Sequence, residues 1–354
     1  MNLTQTWYAV ALASALQEAE PVAATLHGKD FVLWRGPEGA PLAAEARCPH
    51  KGASLARGCV VAGQLRCGYH GWQFDGEGSC LEIPANKPGA AIPRRARIHP
   101  VPCREAHGFL WLWWDPLGIH HAAEPPPLPA VEHVPAAGDP GWRTLEGEQV
   151  WTAHWVRILE GFLDLTHVPY VHRSTFGGAA ANELYTSEEI VAGDYLYGLI
   201  DTPRDRNYRS EQGNPLQRLL GGLGGAGKEE DAAAAAGGNG VQHLHLWLAN
   251  LLLIRVEFRD FKIYLCLVPV PLGGGKTRLL WRHFRSFLRT PLADGNARKR
   301  VHRFLGEDQV ILESMQPFEP DLDGREDLLL ASDSLTLALR RLLRAKREAN
   351  LILE

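Results

Sequence analysis

Short runs of hydrophobic residues, bounded by Gly, Pro and charged residues, fill residues 25–115. Residues 31–34 are followed by Arg35-Gly36-Pro37, and residues 108–114, which include three tryptophans, are followed by Asp115-Pro116. Aromatic residues inside such runs and turn residues at their ends are typical of β-strands. Because no longer segment with a 3.6-residue hydrophobic period interrupts these runs, the pattern predicts an all-β N-terminal domain.

An apolar run over residues 7–16 lies near the start of the chain and contains small residues like those of a signal peptide. No Lys or Arg precedes it, and it is too short to span a bilayer. We therefore interpret it as a core element packed under the first domain. No other stretch approaches about 20 apolar residues without a charge, so we expect a soluble, cytoplasmic protein.

A proline-rich segment over residues 116–141 follows the first domain. Proline at this density suits neither a helix nor a central strand, which favours a linker. The sequence therefore predicts three parts: a first domain over residues 1–118, a linker over 119–141 and a second domain over 142–354.

The second domain is predicted to mix helices and strands. Residues 151–165 place Trp155, Leu159 and Phe162 on one helical face, and Pro169 is expected to stop or kink this helix. Two further amphipathic helices and four β-rich runs are predicted. The helices cover 297–316 and 328–344, and the β-rich runs cover 195–200, 243–256, 264–270 and 279–284.

Residues 221–240 are rich in Gly and Ala and contain Lys228-Glu229-Glu230-Asp231. Such a composition cannot supply a core, so we expect a mobile loop that could act as a lid. The strand residues around 246–254 and the aromatic residues Phe258, Phe261 and Tyr264 favour a mostly apolar pocket.

Composition and charge restrict the class of protein and the partners that we expect. The chain has 354 residues, of which 45% are hydrophobic and 22% charged, as expected of a globular protein with room for two cores. Its net charge of −4 argues against nucleic acid as a partner.

The first group of candidate ligands consists of two matched pairs of a thiol and an imidazole. Cys48-Pro49-His50 is followed by Cys67-Gly68-Tyr69-His70, and a glycine comes shortly after each pair. A [2Fe-2S] centre with two Cys on one iron and two His on the other needs this set of donors. Glycines let the backbone close around a cluster and turn N–H groups towards its sulfurs. Tetrahedral zinc is the alternative, although zinc fingers usually pair Cys with Cys and His with His.

The remaining cysteines are Cys59, Cys80, Cys103 and Cys266. They could form disulfides, but a chain of this size gains little from them, and an iron–sulfur cluster favours a reducing compartment.

The second group of candidate ligands surrounds Pro169. Asp164 and His167 are three residues apart, which would place them on one helix face, and His172 follows the proline. Two His and one distant carboxylate make the facial triad of non-haem Fe(II) oxygenases, which leaves positions open for dioxygen. Ordinary surface or core histidines are the alternative.

Periodicity alone leaves the carboxylate open, because Glu307, Asp308 and Glu313 all lie on one predicted helix. Four other histidines lie in the linker or alternate along a predicted strand, and we interpret them as non-ligands: His120, His121, His243 and His245.

Both groups of ligands, with their flanking residues, resemble motifs of one family. Cys-Pro-His-Lys-Gly-Ala-Ser-Leu and Cys-Gly-Tyr-His-Gly-Trp-Gln-Phe resemble the Rieske motif, and Glu-Gly-Phe-Leu-Asp-Leu-Thr-His-Val-Pro-Tyr-Val-His resembles the iron-binding motif, of Rieske non-haem iron oxygenase catalytic subunits. The resemblance spans nearly the whole chain. The opening and closing segments look most like the monooxygenases and demethylases, such as vanillate- and dicamba-type O-demethylases and saxitoxin-pathway hydroxylases.

The resemblance implies two sets of ligands. The Rieske [2Fe-2S] cluster would be held by Cys48, His50, Cys67 and His70, and the mononuclear Fe(II) by His167, His172 and Asp308. Asp308 is chosen because Gly-Glu-Asp-Gln-Val-Ile-Leu-Glu is similar to the family stretch in which the aspartate binds iron; Glu307 and Glu313 would then face solvent or lie around the ligands. The family often has an asparagine three residues before the motif aspartate, where this chain has Gly161.

The resemblance also implies an α+β fold, in which an all-β Rieske domain precedes a helix-grip (START-like) domain with an antiparallel sheet wrapped by helices. In the family, a head-to-tail homotrimer places each cluster beside a neighbour's iron. Asp164 would then bridge His167 to His70 of the partner subunit, which fixes both rings and couples the two centres.

The implied activity is that of a monooxygenase that uses dioxygen and electrons to hydroxylate or oxidatively demethylate a small, largely apolar substrate of aromatic, polycyclic or alkaloid-like character. The electrons would come from NAD(P)H through a ferredoxin and/or a flavin-dependent reductase. Two electrons beyond those of the substrate are needed, one from each centre. The alternatives are a Rieske electron-transfer or ligand-binding protein without oxygenase activity, and a zinc-stabilised binding module.

Basic residues outnumber acidic ones between residues 45 and 97. The basic residues are Arg47, Lys51, Arg57, Arg66, Lys87, Arg94, Arg95 and Arg97. A solvated face explains this equally well, and the sharper hypothesis is a docking surface for an acidic ferredoxin or ferredoxin domain.

Overall fold

The computed structural model describes residues 1–118, 124–172, 185–201, 241–257 and 261–353. The predicted mobile loop over 221–240 lies outside these ranges, as do His120, His121 and Phe258.

The N-terminal part consists of short antiparallel strands, as the hydrophobic runs predict. The strands are β1 (Asn2–Leu3), β2 (Thr6–Leu12), β3 (Val22–Leu26), β4 (Lys29–Arg35), β5 (Pro41–Glu45), β6 (Cys59–Val61), β7 (Gln64–Arg66), β8 (Gln73–Phe74), β9 (Cys80–Glu82), β10 (Pro100–Val101), β11 (Cys103–Ala106) and β12 (Phe109–Trp114). Except for β1, they form three sheets, in the orders β10-β5-β4-β3, β11-β12-β2 and β6-β7-β8-β9.

A seven-stranded antiparallel sheet dominates the C-terminal part. Its strands are β13 (Arg143–Trp151), β14 (Tyr185–Ala192), β15 (Tyr195–Asp201), β16 (Val241–Trp247), β17 (Leu251–Glu257), β18 (Lys262–Gly273) and β19 (Lys276–Arg285). The order across the sheet is β13-β19-β18-β17-β16-β15-β14. A last strand, β20 (Ile352–Leu353), pairs with β1.

Helices follow or interrupt this sheet. They are α1 (Trp155–Leu163), α2 (Val168–Val171), α3 (Asp294–Leu312) and α4 (Ser334–Glu348), with short 3₁₀ turns at Ala13–Ala15, Leu55–Arg57, Pro291–Ala293 and Ala331–Asp333. The α+β class with an antiparallel sheet is therefore confirmed. Within the described residues, no helix is long and apolar enough to cross a bilayer.

The first of these helices is shorter than its pattern predicts. Trp151 still belongs to β13, and α1 begins only after His154, whose Nδ1 accepts a hydrogen bond from the backbone N–H of Val156 at 3.3 Å. The expectation that Pro169 stops or kinks α1 is wrong. Pro169 lies in the first turn of α2, where its missing N–H costs no helical hydrogen bond.

Two buried cores hold these elements, and the larger one crosses the predicted boundary at residue 118. The predicted core run 7–16 forms β2 and the turn after it, and most of its apolar side chains are buried together with those of the seven-stranded sheet. Asn250, which is fully buried, joins them: its Oδ1 accepts from Ala9 N at 3.1 Å, and its Nδ2 donates to the oxygens of Ala9 (2.9 Å) and Pro269 (3.2 Å). The smaller core surrounds Cys48 and Cys67.

The two faces of the seven-stranded sheet have different neighbours. The ring of Trp281 lies over Gly147, where an added Cβ would come within 2.5 Å of it, and meets His302 of α3 edge-on at 5.5 Å. Tyr264 points to the opposite face, contacts the ring of Trp142 at 4.5 Å and donates to Glu257 at 2.5 Å. Tyr264 therefore lies on the sheet face away from α3, and the expected apolar pocket near it stays a prediction.

Candidate metal centres

The loop after β5 closes tightly around Cys48. The Cys48 N–H donates to the Ala53 oxygen at 2.9 Å, and the Gly52 N–H returns to the Cys48 oxygen at 2.9 Å. Gly52 has a φ of +76°, a conformation that a residue with a side chain rarely adopts. The glycine after the first pair of ligands is thus required by the turn.

The loop between β7 and β8 repeats this closure. The Cys67 N–H donates to the Trp72 oxygen at 2.8 Å, and the Gly71 N–H donates to the Cys67 oxygen at 3.0 Å, with φ of Gly71 at +74°. The spacing between Cys and His differs in the two loops, but both loops form the same two backbone hydrogen bonds around the cysteine.

The four side chains form an inner and an outer pair. The thiols of Cys48 and Cys67 are buried and contact each other; burial, with a contribution from Cys67, raises the pKa of Cys48 to about 11. The rings of His50 and His70 lie further out, with centroids 4.5 Å apart, and Trp72 stacks on His50 at 4.8 Å. An inner thiol pair and an outer imidazole pair match the donor set of a Rieske [2Fe-2S] cluster.

Three ligating atoms converge at the second site. His167 Nε2 and His172 Nε2 lie 3.3 Å apart, and Asp308 Oδ1 lies 3.4 Å from the former and 3.0 Å from the latter. Within the described ranges, these three residues are the group of His, Cys and acidic side chains that could hold one metal ion.

Local structure explains this convergence. The two histidines flank the single turn of α2, one as its N-cap and the other as its C-cap, and both rings face α3. Asp308 is buried in the last part of α3, with 4% of its surface exposed. Asp308, whose carboxylate is distant in sequence, thus supplies the third ligating atom beside the two histidines.

Glu307 holds the outer side of His172. Its Oε2 lies 2.9 Å from His172 Nδ1. Burial disfavours the charged form of His172, but the hydrogen bonds and negative charges of Asp308 and Glu307 outweigh it and raise the pKa of His172 above its ordinary value. The site therefore attracts positive charge.

Asp164 departs from its predicted geometry. Helix α1 ends at Leu163 and Asp164 has extended backbone angles (φ −91°, ψ 114°), so Asp164 and His167 do not share a helix face. Instead, Asp164 Oδ1 accepts hydrogen bonds from the N–H and hydroxyl of Thr166, at 2.7 and 2.6 Å, and Asp164 Oδ2 lies 4.0 Å from His167 Nδ1. The Asp-x-Thr spacing, a common local turn motif, could have predicted this contact.

The other candidate residues lie apart from the triad. Glu313 accepts hydrogen bonds from Thr152 N at 2.8 Å and from Gln309 at 2.7 Å. His243 Nδ1 lies 2.9 Å from the Tyr197 hydroxyl, and His245 Nδ1 lies 2.8 Å from the Tyr195 hydroxyl. Both histidines are on the sheet face opposite Trp281. All six cysteines are free, and only Cys59 among them is exposed.

The second site fits an iron ion by its donors. Asp308 Oδ2 is buried and has no hydrogen-bond partner among the described residues, an arrangement that is costly unless a donor or a cation satisfies it. Two imidazole nitrogens and one carboxylate are the donors of the non-haem Fe(II) facial triad.

Comparison with known proteins places both halves of the chain. The Rieske [2Fe-2S] domain family matches residues 6–102, and the vanillate O-demethylase oxygenase C-terminal domain family matches residues 151–349, which is more than half of the chain. The chain belongs to the Rieske oxygenases. The recognition made from the cluster and iron motifs is thereby confirmed.

Relatives of this Rieske oxygenase include chloroplast proteins of plants and algae as well as bacterial oxygenase components. The dicamba O-demethylase oxygenase component of Stenotrophomonas maltophilia is 32% identical over 53% of this chain and 52% of its own length. A probable 3-ketosteroid-9-alpha-monooxygenase oxygenase component of Rhodococcus rhodochrous is 31% identical over 51% of this chain and 46% of its own. The chain thus spans about half the length of these curated relatives.

A solved structure shares the fold along the whole chain. Dicamba monooxygenase bound to dicamba superposes with a TM-score of 0.75 at 22% identity, over 98% of this chain and 98% of the other. The order of an N-terminal Rieske domain and a C-terminal antiparallel sheet is thus that of a known oxygenase fold.

Proposed function

We propose that this Rieske oxygenase chain is a monooxygenase that hydroxylates or oxidatively demethylates a small, largely apolar substrate. One observation carries the proposal: His167 Nε2, His172 Nε2 and Asp308 Oδ1 meet within 3.4 Å, in the same chain as a complete Rieske donor set. Neither centre alone requires oxygenase chemistry, but together they supply the two electrons that insertion of one oxygen atom needs.

His167, His172 and Asp308 would hold Fe(II), which when bound offers open positions for dioxygen. The chain's own side chains shield the proposed iron site from water and fix its ligands in position. Asp308 and His172 are 4% and 3% exposed, and Phe304 of α3 meets the His172 ring edge-on at 5.8 Å. Low exposure strengthens every charge interaction at the site.

Cys48, His50, Cys67 and His70 would hold the cluster, which supplies one electron per oxidation. Imidazole ligands raise its potential above that of an all-thiolate cluster, so it accepts electrons from a reduced ferredoxin or flavin-dependent reductase, and ultimately from NAD(P)H. The free cysteines accord with a reducing compartment, and we propose the cytoplasm.

Head-to-tail assembly, most simply a homotrimer, forms part of the proposal. Large side chains are exposed beside each centre: Tyr69 (62%) precedes His70, and Tyr170 (73%) lies between His167 and His172 in sequence. Exposed aromatic and apolar groups of this kind favour a protein contact. Asp164 at the same surface would then reach His70 of the partner subunit.

The basic surface between residues 45 and 97 supports an acidic electron donor. Its side chains are exposed except Arg66, which is half-buried and bonds to Gln73 at 2.8 Å. Charge-steered docking is screened by salt, so reduction by the donor should slow steeply between low and physiological ionic strength. A rate insensitive to salt would exclude this docking mode.

The apolar character of the proposed substrate is supported by the sheet face that meets the helices, where Leu265, Leu267 and Ile254 share a side with Trp281. We would incubate the protein with a reductase, NADH and a panel of methoxylated aromatics, polycyclic compounds and alkaloids under ¹⁸O₂. Label in one product, or stoichiometric formaldehyde, supports the proposal. Label equal in an Asp308→Ala variant that retains its cluster would refute it.

A further inference from the structure

The two histidines of the triad are held in unequal ways. His172 is bound on its outer nitrogen by Glu307 at 2.9 Å. For His167, the carboxylate described near the outer nitrogen is that of Asp164, at 4.0 Å, which exceeds hydrogen-bond distance. A hydrogen bond on the outer nitrogen therefore orients the ring of His172, whereas among the described residues no such bond is made by His167.

Residues of helix α3 contact His172 on both ring nitrogens and on the ring itself. Glu307 places one carboxylate oxygen on His172 and the other 3.5 Å from Arg303 Nε, one helical turn earlier. Phe304, which lies next to Arg303, makes a T-shaped contact with the same imidazole, with the ring planes at 82°. Asp308, the next residue after Glu307, faces the other nitrogen at 3.0 Å.

The hydrogen bond to Glu307 selects one tautomer. A carboxylate can only accept, so the shared proton belongs to His172 Nδ1. A neutral ring with its proton on Nδ1 carries its lone pair on Nε2, the atom that faces Asp308 and His167. An imidazole in this state needs neither a tautomer change nor a ring flip before it binds a metal ion.

We infer that Glu307 is a positioning residue of the metal site, which fixes the ring and tautomer of His172 through its hydrogen bond to Nδ1. This inference rests on the proposed function, because it takes His167, His172 and Asp308 as the metal ligands. It gives Glu307 a specific role, where the sequence had offered only an alternative to Asp308 or a residue near it.

The test is a Co(II) titration of protein with an intact cluster and a mononuclear site depleted of iron by a chelator. Co(II) reports its own coordination through its ligand-field absorption, and the cluster's absorption shows that each variant is folded. Loss of a hydrogen-bonding partner of a metal-bound histidine typically weakens metal binding by about 10–100-fold. We expect that loss, with altered Co(II) bands, for Glu307→Ala.

Two variants separate positioning from general damage. Glu307→Gln keeps an oxygen that can accept from Nδ1–H, so it should recover much of the affinity. Glu313→Ala removes a carboxylate that contacts Thr152 and Gln309 near the end of the same helix, and it should bind Co(II) like the wild type.

Three outcomes would overturn a specific claim. Wild-type affinity and bands in Glu307→Ala would reject the positioning role. A Glu307→Gln variant as weak as Glu307→Ala would reject the hydrogen bond as its cause. Failure of the wild type itself to bind Co(II), with Asp308→Ala indistinguishable from it, would instead reject the proposed metal site.

Discussion

The side chain of Leu312 fills the space beside Gly161: a Cβ added to Gly161 would lie 2.8 Å from Leu312 Cδ2. Leu312 closes helix α3, and Gly161 lies in α1, so this contact joins the helix before Asp164 to the helix that carries Asp308. It also means that the asparagine implied by the family resemblance at position 161 would meet this leucine.

The contact predicts a cost for restoring the asparagine. Gly161→Asn should lower the free energy of unfolding by about 1–3 kcal/mol through overpacking, even though helix propensity alone favours Asn over Gly. Denaturant unfolding, followed by tryptophan fluorescence, measures this. Adding Leu312→Ala should relieve the clash, so the double variant should lose less than the sum of the two single changes. Additive losses would contradict the account.

The turn around Asp164 predicts an electron-transfer defect without metal loss. In Asp164→Asn, Thr166 can still donate to the remaining side-chain oxygen, but the negative charge that would bridge two metal-bound imidazoles is gone. We expect turnover to fall by about 10–100-fold with iron and cluster content unchanged. Thr166→Ser, which keeps both donors, is the matched control. Unchanged turnover in Asp164→Asn would contradict the proposed bridge between the two metal centres.

His154 predicts a pH dependence of stability. Burial, reinforced by the charges of the N-terminal amine, His27 and Arg157, lowers the pKa of His154 to about 3. Its unfolded value is about 6.5, so between these values the unfolded chain binds a proton that the folded chain does not. The free energy of unfolding should therefore fall as pH decreases, by about 1.4 kcal/mol per pH unit from this group.

The variant His154→Asn isolates this contribution, because Asn is also a good N-cap but does not titrate. Its free energy of unfolding, measured from pH 8 to pH 5, should decrease less steeply than that of the wild type below pH 6.5. Parallel profiles would show that His154 is not responsible. His154→Ala should in addition lose the cap, at about 1 kcal/mol at every pH.

Arg340 predicts a large and local loss of stability. It is 2% exposed and donates to Glu160 Oε1 at 2.6 Å and to Asp327 Oδ2 at 2.5 Å, which ties α4 to α1. Arg340→Met would leave a buried carboxylate with only part of its partners, at a cost of about 3 kcal/mol. The neighbouring Arg341 pairs with Glu189 at the surface, so Arg341→Met should change stability by less than about 0.5 kcal/mol. Equal losses in both variants would contradict this.

Short-range patterns predict most of the fold. Runs such as residues 31–34 and 108–114 form strands because their apolar side chains are buried on both faces. The pattern predicts no strand over β13, whose alternating charges look like a loop. Its Glu146 is paired with Arg282 on the neighbouring strand at 3.1 Å, a contact that exists only after the sheet has formed.

The candidate site, like the fold, contains some residues that local sequence predicts and some contacts that form only in the folded chain. The two histidines and the two Cys–His pairs follow from local spacing, and Asp308 follows from the family resemblance. The partners of these ligands do not, because Glu307 meets His172 across 135 residues of sequence. The end of α1 was also mispredicted, since the extended backbone of Asp164 depends on its bonds to Thr166 rather than on hydrophobic periodicity.

The most direct test of the central claim is a single turnover. The protein, loaded with Fe(II), is reduced anaerobically and mixed with dioxygen, and the absorption of the cluster is followed with and without candidate substrates. We expect one compound to accelerate cluster oxidation and to yield about one product per reduced site, with both effects lost in Asp308→Ala. If cluster oxidation is the same in the wild type and in Asp308→Ala, with every compound tested, the triad does not activate dioxygen, and the chain is an electron-transfer protein.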